Sequence, residues 1–277
     1  MLVSRCNATM FLLATCLVAA TEANAADAVR ISQVYGGGGS TSSTAAYNRD
    51  YVEIFNSGAD PVSLAGWTLE YGSAAGNWGS SATTIYTFPK GATIAPCQYL
   101  LIAFGTPSTG GAALPVTADF TFNIAMSATS GKVALFRQVN TNVACGAEIA
   151  GSLVDKVAYG TANCAEGTAA GALTSASGLV RNSNGQADTD DNLADFTITT
   201  PPVPRNAQSP APKGCGGGGG PTPCPADLDN DGQVAASDLA VMLGAWGGPG
   251  TADLNGDGQV GAADLSVLLG AWGPCPS

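Results

Sequence analysis

From residue 27 to residue 208 the chain carries no long helical period. Short apolar runs alternate there with clusters of Gly, Ser, Asn and Pro. Such a chain has to build its core from strands rather than from amphipathic helices. VRISQVY, DYVEIFN, WTLEY, TIYTF, QYLLIAF, KVALFRQ and LVDKVAYG read as strands of about five to seven residues. In DYVEIFN, Tyr51, Glu53 and Phe55 face one way, and Asp50, Val52 and Ile54 the other. NSGADPV and FPKGATIAPC are turns by their Pro and Gly content. The pattern predicts a mainly β protein with a β-sandwich over residues 26–208.

A length of 277 residues suits one or two domains. Only 11% of the residues are charged and 45% are hydrophobic, which argues against long disordered tracts outside linkers. The net charge is −11, and the last basic residue is Lys213. So acidic a surface repels phosphate backbones, which speaks against nucleic-acid binding. The chain has no histidine. That excludes Ser-His-Asp and Cys-His catalysis and every His-ligated zinc or haem site. No catalytic constellation is recognisable, and the expectation is a protein without enzymatic activity.

The N-terminus predicts a secretory signal peptide over residues 1–25. Arg5 supplies the positive charge, Met10 to Ala20 the apolar run and Ala23-Asn24-Ala25 the small-residue cleavage site. No later segment is long and apolar enough to span a membrane. The chain is therefore expected to be secreted or at the cell surface. Cys6 and Cys16 fall in the leader, leaving Cys97, Cys145, Cys164, Cys215, Cys224 and Cys275. An even number in an exported chain points to disulfides. Cys145 and Cys164 are close in sequence, and Cys224 and Cys275 bracket the acidic repeats. Cys97 with Cys215 follows by elimination. Residues 209–224 are rich in Pro and Gly and form a linker.

Residues 225–277 follow a different rule. ADLDNDGQVAASDLAVMLGAWG is followed by ADLNGDGQVGAADLSVLLGAWG, a spacing of 253 − 227 = 26 residues between Asp227 and Asp253. Calcium is a hard cation that takes six to eight oxygens, and a twelve-residue loop supplies them from positions 1, 3, 5, 7 and 12. Asp227, Asp229, Asp231, Gln233 and Asp238 hold those positions in the first repeat. Asp253, Asn255, Asp257, Gln259 and Asp264 hold them in the second. The glutamines would act through their backbone carbonyls. Gly232 and Gly258 stand at position 6, where the loop turns sharply. The spacing predicts two calcium ions. Val234 and Val260, at position 8, can join the loops through apolar contact.

Leu239, Met242, Leu243 and Trp246 fall at i, i+3, i+4 and i+7, as do Leu265, Leu268, Leu269 and Trp272. Each set predicts one apolar helix face. Gly247 and Gly273 are expected to end the helices. GGGGGPTPCPA and GGPGTA, which precede the loops, cannot form entering helices. Each repeat is thus half an EF-hand. A calcium sensor moves two helices per loop, so a metal-folded staple is the better reading.

Two resemblances follow. DYVEIFNSGADPVSLAGWTLEY, then APCQYLLIA, GKVALF, VDKVAYG and ADFTITTPPVPRN, stand in the order of the lamin-tail domain. That resemblance covers about residues 27–208 and implies an immunoglobulin-like β-sandwich with no shared catalytic residues. Residues 225–277 resemble a type I dockerin. That likeness implies a calcium-folded module that docks a helix face on a cohesin domain. Loop positions 10 and 11, where that family recognises its partner, are Ala236-Ser237 and Ala262-Ala263 here. VMLGAW and VLLGAW replace its basic helix positions. The ligand set carries over, while the partner is a cohesin-like domain or another surface receptor.

The combined expectation is an exported protein whose dockerin-like tail anchors a lamin-tail sandwich. The alternatives are an accessory or enzyme subunit of an extracellular polysaccharide-degrading assembly, or a carbohydrate- or surface-binding adhesive module. Trp78, in GNWGSS, is the exposed candidate for a sugar platform, whereas Trp67 belongs to the core. Asp188, Asp190, Asp191 and Asp195 form either a third calcium site or an Asx-capped turn. Glu53 is read as structural. The Gly-rich YGGGGS (35–40) lacks the residues of a phosphate-binding loop and is read as a flexible loop able to touch a ligand.

Overall fold

The computed structural model describes residues 28–41, 43–212, 215, 224–229 and 233–274. The expected signal peptide, Asp231, Gly232, Cys275 and most of the linker lie outside the described residues. The larger part is built of β1 (Val29–Tyr35), β2 (Asp50–Asn56), β3 (Val62–Ser63), β4 (Thr68–Ser73), β5 (Ile85–Thr87), β6 (Thr93–Ile94) and β7 (Tyr99–Phe104). It continues through β8 (Phe120–Phe122), β9 (Gly131–Phe136), β10 (Leu153–Tyr159), β11 (Gly178–Arg181), α1 (Asn182–Gly185), α2 (Asn192–Asp195) and β12 (Phe196–Thr199). One sheet runs β12-β11-β1-β2-β7-β8 and the other β10-β9-β4-β5. β3 and β6 form a separate ribbon. β7 and β8 pair in parallel; the remaining pairs in the two sheets are antiparallel.

All seven expected strands form. The sheets meet face to face: Val52 and Ile54 of β2 share one core with Leu69 and Tyr71 of β4, Val133 and Leu135 of β9, and Val157 of β10. Trp67 belongs to that core, as read from the sequence.

The other face of β2 is buried as well. Tyr51 stacks on Tyr35, with ring centroids 5.5 Å apart, and Phe55 stacks on Tyr99 at 4.6 Å. The segment after β12 lies across this face. Pro202 O accepts from Tyr47 Oη (2.7 Å), and Val203 O accepts from Gln33 Nε2 (2.8 Å). Arg205 then closes on Glu53, which is fully buried. Its Nη2 lies 2.8 Å from Oε1, its backbone N–H donates to Oε2 at 2.6 Å, and Ser32 Oγ donates to Oε1 at 2.5 Å. The Arg205 guanidinium also sits 3.8 Å over the Tyr99 ring. Glu53 is therefore a structural anchor, paired because a buried charge must be paired.

A second buried cation, Arg181, fixes β11. It donates to Ile31 O (2.8 Å) and Asp155 Oδ2 (2.7 Å) and covers the Phe196 ring at 4.5 Å. Disulfides join Cys97 to Cys215 and Cys145 to Cys164, with Cα atoms 5.7 and 5.6 Å apart. Cys224 is disulfide-bonded too, but its expected partner lies outside the described residues.

Trp78 is not an exposed platform but fully buried. Its indole N–H donates to Glu148 Oε1 at 2.8 Å, and its ring meets Phe136 edge-on at 5.7 Å. The Gly/Ser/Ala-rich flanks suggested exposure because they lack apolar periodicity. An isolated backbone bridge to Val143 carries the ring inward instead.

Candidate metal centre

The C-terminal segment consists of β13 (Gln233–Val234), α3 (Ala236–Gly244), α4 (Ala262–Gly270) and β14 (Gly273–Pro274). Its buried core is Ala226, Val234 and Met242 from one repeat with Ala252, Val260 and Leu268 from the other. These are the same three positions, 26 residues apart in each case (252 − 226, 260 − 234, 268 − 242). The repeats also complete each other's backbone. Val234 pairs with Gly273, behind α4. Val260 accepts from Gly247 N and donates to Gly248 O, both at 2.8 Å, behind α3. Each loop edge is thus satisfied by the other repeat, which gives the duplication a physical reason.

Asp238 and Asp264 hold loop to helix. Asp238 Oδ1 accepts the N–H groups of Leu228 (2.7 Å) and Asp229 (3.1 Å), and Oδ2 that of Ala235 (2.8 Å). Asp264 repeats this with Leu254 (2.8 Å), Asn255 (3.0 Å) and Gly261 (2.7 Å). Each is the third residue of its helix and satisfies the cap amide. Burial pushes the Asp238 carboxyl up, but its backbone amides outweigh this and hold it below the ordinary range. The amide of Gly261, with those of Asn255 and Leu254, holds Asp264 down in the same way.

In the first loop, carboxylate oxygens of Asp227, Asp229 and Asp238 lie within 4.8 Å of one another. The set is all oxygen, the donor type that a hard cation such as calcium takes. In the second loop, Asp253 accepts from Gly256 N (2.8 Å) and Gly258 N (2.8 Å), which wraps the chain around it. Asn255 Oδ1 accepts from Asp257 N at 2.8 Å, and Asp257 Oδ1 from Gln259 N at 2.9 Å. Positions 1, 3, 5 and 12 of that loop are thus tied into one network. Gln233 lies in β13, paired with Pro274.

The apolar helix face divides. Met242 and Leu268 are fully buried and Leu239 and Leu265 partly so. Leu243 and Trp246 remain 54% and 48% exposed, and Leu269 and Trp272 52% and 49%. The helices end at Gly244 and Gly270, before Gly247 and Gly273. The tryptophans therefore lie beyond the last helical turn, and the 3.6-residue period no longer governs them.

Three of the four aspartates near α2 have partners of their own. Asp188 pairs with Arg30 (2.8 Å) and Arg181 (3.2 Å), and Asp191 accepts from Leu193 N at 3.1 Å as the α2 cap. Asp195 accepts from Thr189 N and Oγ1, both at 2.8 Å. Asp191 fills the capping role of the Asx-turn reading, while Asp188, already paired with two cations, also lies with Glu166 and Asp190 in a group whose carboxylate oxygens are within 4.8 Å of one another. Arg30 lies 158 residues from Asp188 (188 − 30), whereas Arg181 is only seven residues away, so just the second pair is local.

No curated protein matches the sequence. Among solved structures, a DUF4876 family protein from Bacteroides thetaiotaomicron is similar, at 13% identity and a TM-score of 0.44, over 68% of this chain and 75% of that one. The Lamin Tail Domain family matches residues 22–161. That stretch begins before β1 and ends just after β10, and includes every strand of the two sheets except β11 and β12. Covering half of the chain, this match makes the protein a member of the lamin tail domain family.

Proposed function

We propose that residues 225–277 form a calcium-folded, dockerin-like module that anchors a non-catalytic lamin-tail sandwich to a cohesin-like or other surface receptor in an exported protein. The observation that carries this reading is the mutual completion of two acidic loops around one shared core. Asp227, Asp229, Asp231, Gln233 and Asp238 would hold one ion, and Asp253, Asn255, Asp257, Gln259 and Asp264 the other. Calcium would neutralise carboxylates that otherwise repel one another. The matched pairs Leu243/Trp246 and Leu269/Trp272 offer apolar surface to a receptor. The signal peptide and the absence of histidine support export and a non-enzymatic role. With Trp78 buried, the carbohydrate-binding alternative loses its sugar platform.

The test is calcium titration of the EDTA-treated full chain, followed by far-UV circular dichroism and tryptophan fluorescence. Calcium should raise helicity with a stoichiometry of two and alter the emission of Trp246 and Trp272. Asp238→Asn with Asp264→Asn should weaken binding by at least about tenfold, or about 1.4 kcal/mol. An unchanged spectrum after EDTA would refute metal-dependent folding. A calcium-dependent pull-down from exported proteins, lost in Trp246→Ala with Trp272→Ala, tests the docking role.

A further inference from the structure

The Gly-rich segment Gly36–Ser40 forms the wall of a cleft of about 480 Å³ at one end of the sandwich. The cleft opens where the chain leaves β1 and β7 and enters β2, and it is also lined by residues 123–126. Its glycines are required. A Cβ on Gly37 would lie 2.3 Å from Ser175 O, and one on Gly38 would lie 1.9 Å from the Arg49 carbonyl carbon. Only backbone without side chains can come this close.

Asp50 is the acid of this cleft and is only 5% exposed. Its Oδ2 accepts from Met126 N at 2.9 Å and the Gly38 amide faces the carboxylate, while Oδ1 makes no well-aligned hydrogen bond among the described residues. Among the described residues it forms no ion pair. Tyr35 of β1, Tyr71 of β4 and Tyr159 of β10 feel its charge. All three are phenols whose own titration is raised, mainly by burial. Tyr35 donates its hydroxyl to Ser175 O and Tyr159 donates to Ser127 O, while Tyr71 accepts from Ser127 N. Arg49, next in the chain, directs its Nη2 to Gly105 O at 2.6 Å. Burial raises the Asp50 carboxyl to about 7, against the amides of Met126 and Gly38.

A buried carboxylate with an open acceptor and no counter-ion calls for a cationic donor. A sugar is a poorer match. The one aromatic ring among the lining residues, Phe104, is almost fully buried and offers no stacking face. We propose that this cleft binds a primary ammonium group, carried by a small amine or by a lysyl side chain, with Asp50 as its counter-ion. The site belongs to the sandwich and is independent of the calcium reading.

The test is an NMR titration of the full chain in calcium-containing buffer, monitoring backbone amides and the Asp50 carboxyl carbon. The probes are n-butylammonium, a capped Gly-Lys-Gly peptide, tetramethylammonium and methyl α-glucoside. Saturable shifts confined to the cleft are expected with butylammonium, with the lysyl peptide, or with both, and the responding probe identifies the source. Tetramethylammonium, which has no N–H, should not bind. Affinity should fall about tenfold per pH unit below pH 7, as protons compete for Asp50. Asp50→Asn, which keeps an acceptor for Met126 N, should bind at least tenfold more weakly. If that variant does not fold, the native chain still decides: butylammonium should move the Asp50 midpoint downward. An unmoved midpoint, wild-type binding by a folded Asp50→Asn chain, or binding of the glucoside in place of the amines would overturn the proposal.

Discussion

Arg205→Ala is expected to destabilise the sandwich by about 3–5 kcal/mol, because it leaves a buried carboxylate without its cation. Glu53 is fully buried in mid-strand, and Arg205 reaches it with backbone N–H, Nε and Nη2. The substitution also removes the guanidinium from the Tyr99 ring and from Tyr99 Oη, which it meets at 2.8 Å. The segment 202–207 should then lift from β2 and expose Tyr47 and Gln33. Burial already raises the Glu53 carboxyl above the ordinary glutamate value, against the pull of Arg205. Without Arg205 it should rise further. Between the unfolded and folded midpoints the native state holds the extra proton, so stability falls as pH rises through that window. The deficit of Arg205→Ala should therefore be larger at pH 8 than at pH 5. Urea denaturation at both pH values measures this. A loss below about 1 kcal/mol at pH 8 would show that the pair contributes no more than a surface ion pair does.

Trp78→Ala should cost a similar amount, about 3–5 kcal/mol, through the cavity left by a large buried ring. The indole lies against Phe136, with Lys132 Nζ 5.2 Å from its centroid. Lys132 is itself fully buried, and burial holds its amine below the ordinary lysine range. Removing the ring would take away the cation–π contact and leave Glu148 without the indole donor. Trp78→Phe should cost less, about 1–3 kcal/mol, since it keeps much of the volume and loses the charged hydrogen bond. Thermal or urea unfolding distinguishes these outcomes. A Trp78→Ala protein as stable as wild type would restore the exposed reading of this residue.

Arg205 and Trp78 take their places from contacts between segments far apart in the chain. An Arg in VPRN and a Glu in DYVEIFN each require a partner if buried, but they stand 152 residues apart. Nothing local joins them. A warning was present, since a charge within an apolar strand is costly alone. Trp78 had no such signal, because its neighbours are small and its partners come from β9 and the 143–148 segment. In the C-terminal segment the heptad-like spacing located both helices but not their outward residues. Leu243 and Leu269 share the spacing of Met242 and Leu268, and only the facing repeat determines which of them is covered.

The sequence by itself determined the strand class, the duplicated loop spacing and the positions able to offer oxygen ligands. These are local properties, set by side-chain alternation, turn residues and the reach of a twelve-residue loop. Tertiary structure decided which charges are paired, which aromatics are buried and what the Gly-rich segment YGGGGS encloses. Those outcomes depend on contacts between distant strands, where the cost of burying an unpaired polar group selects partners that no short window of sequence contains.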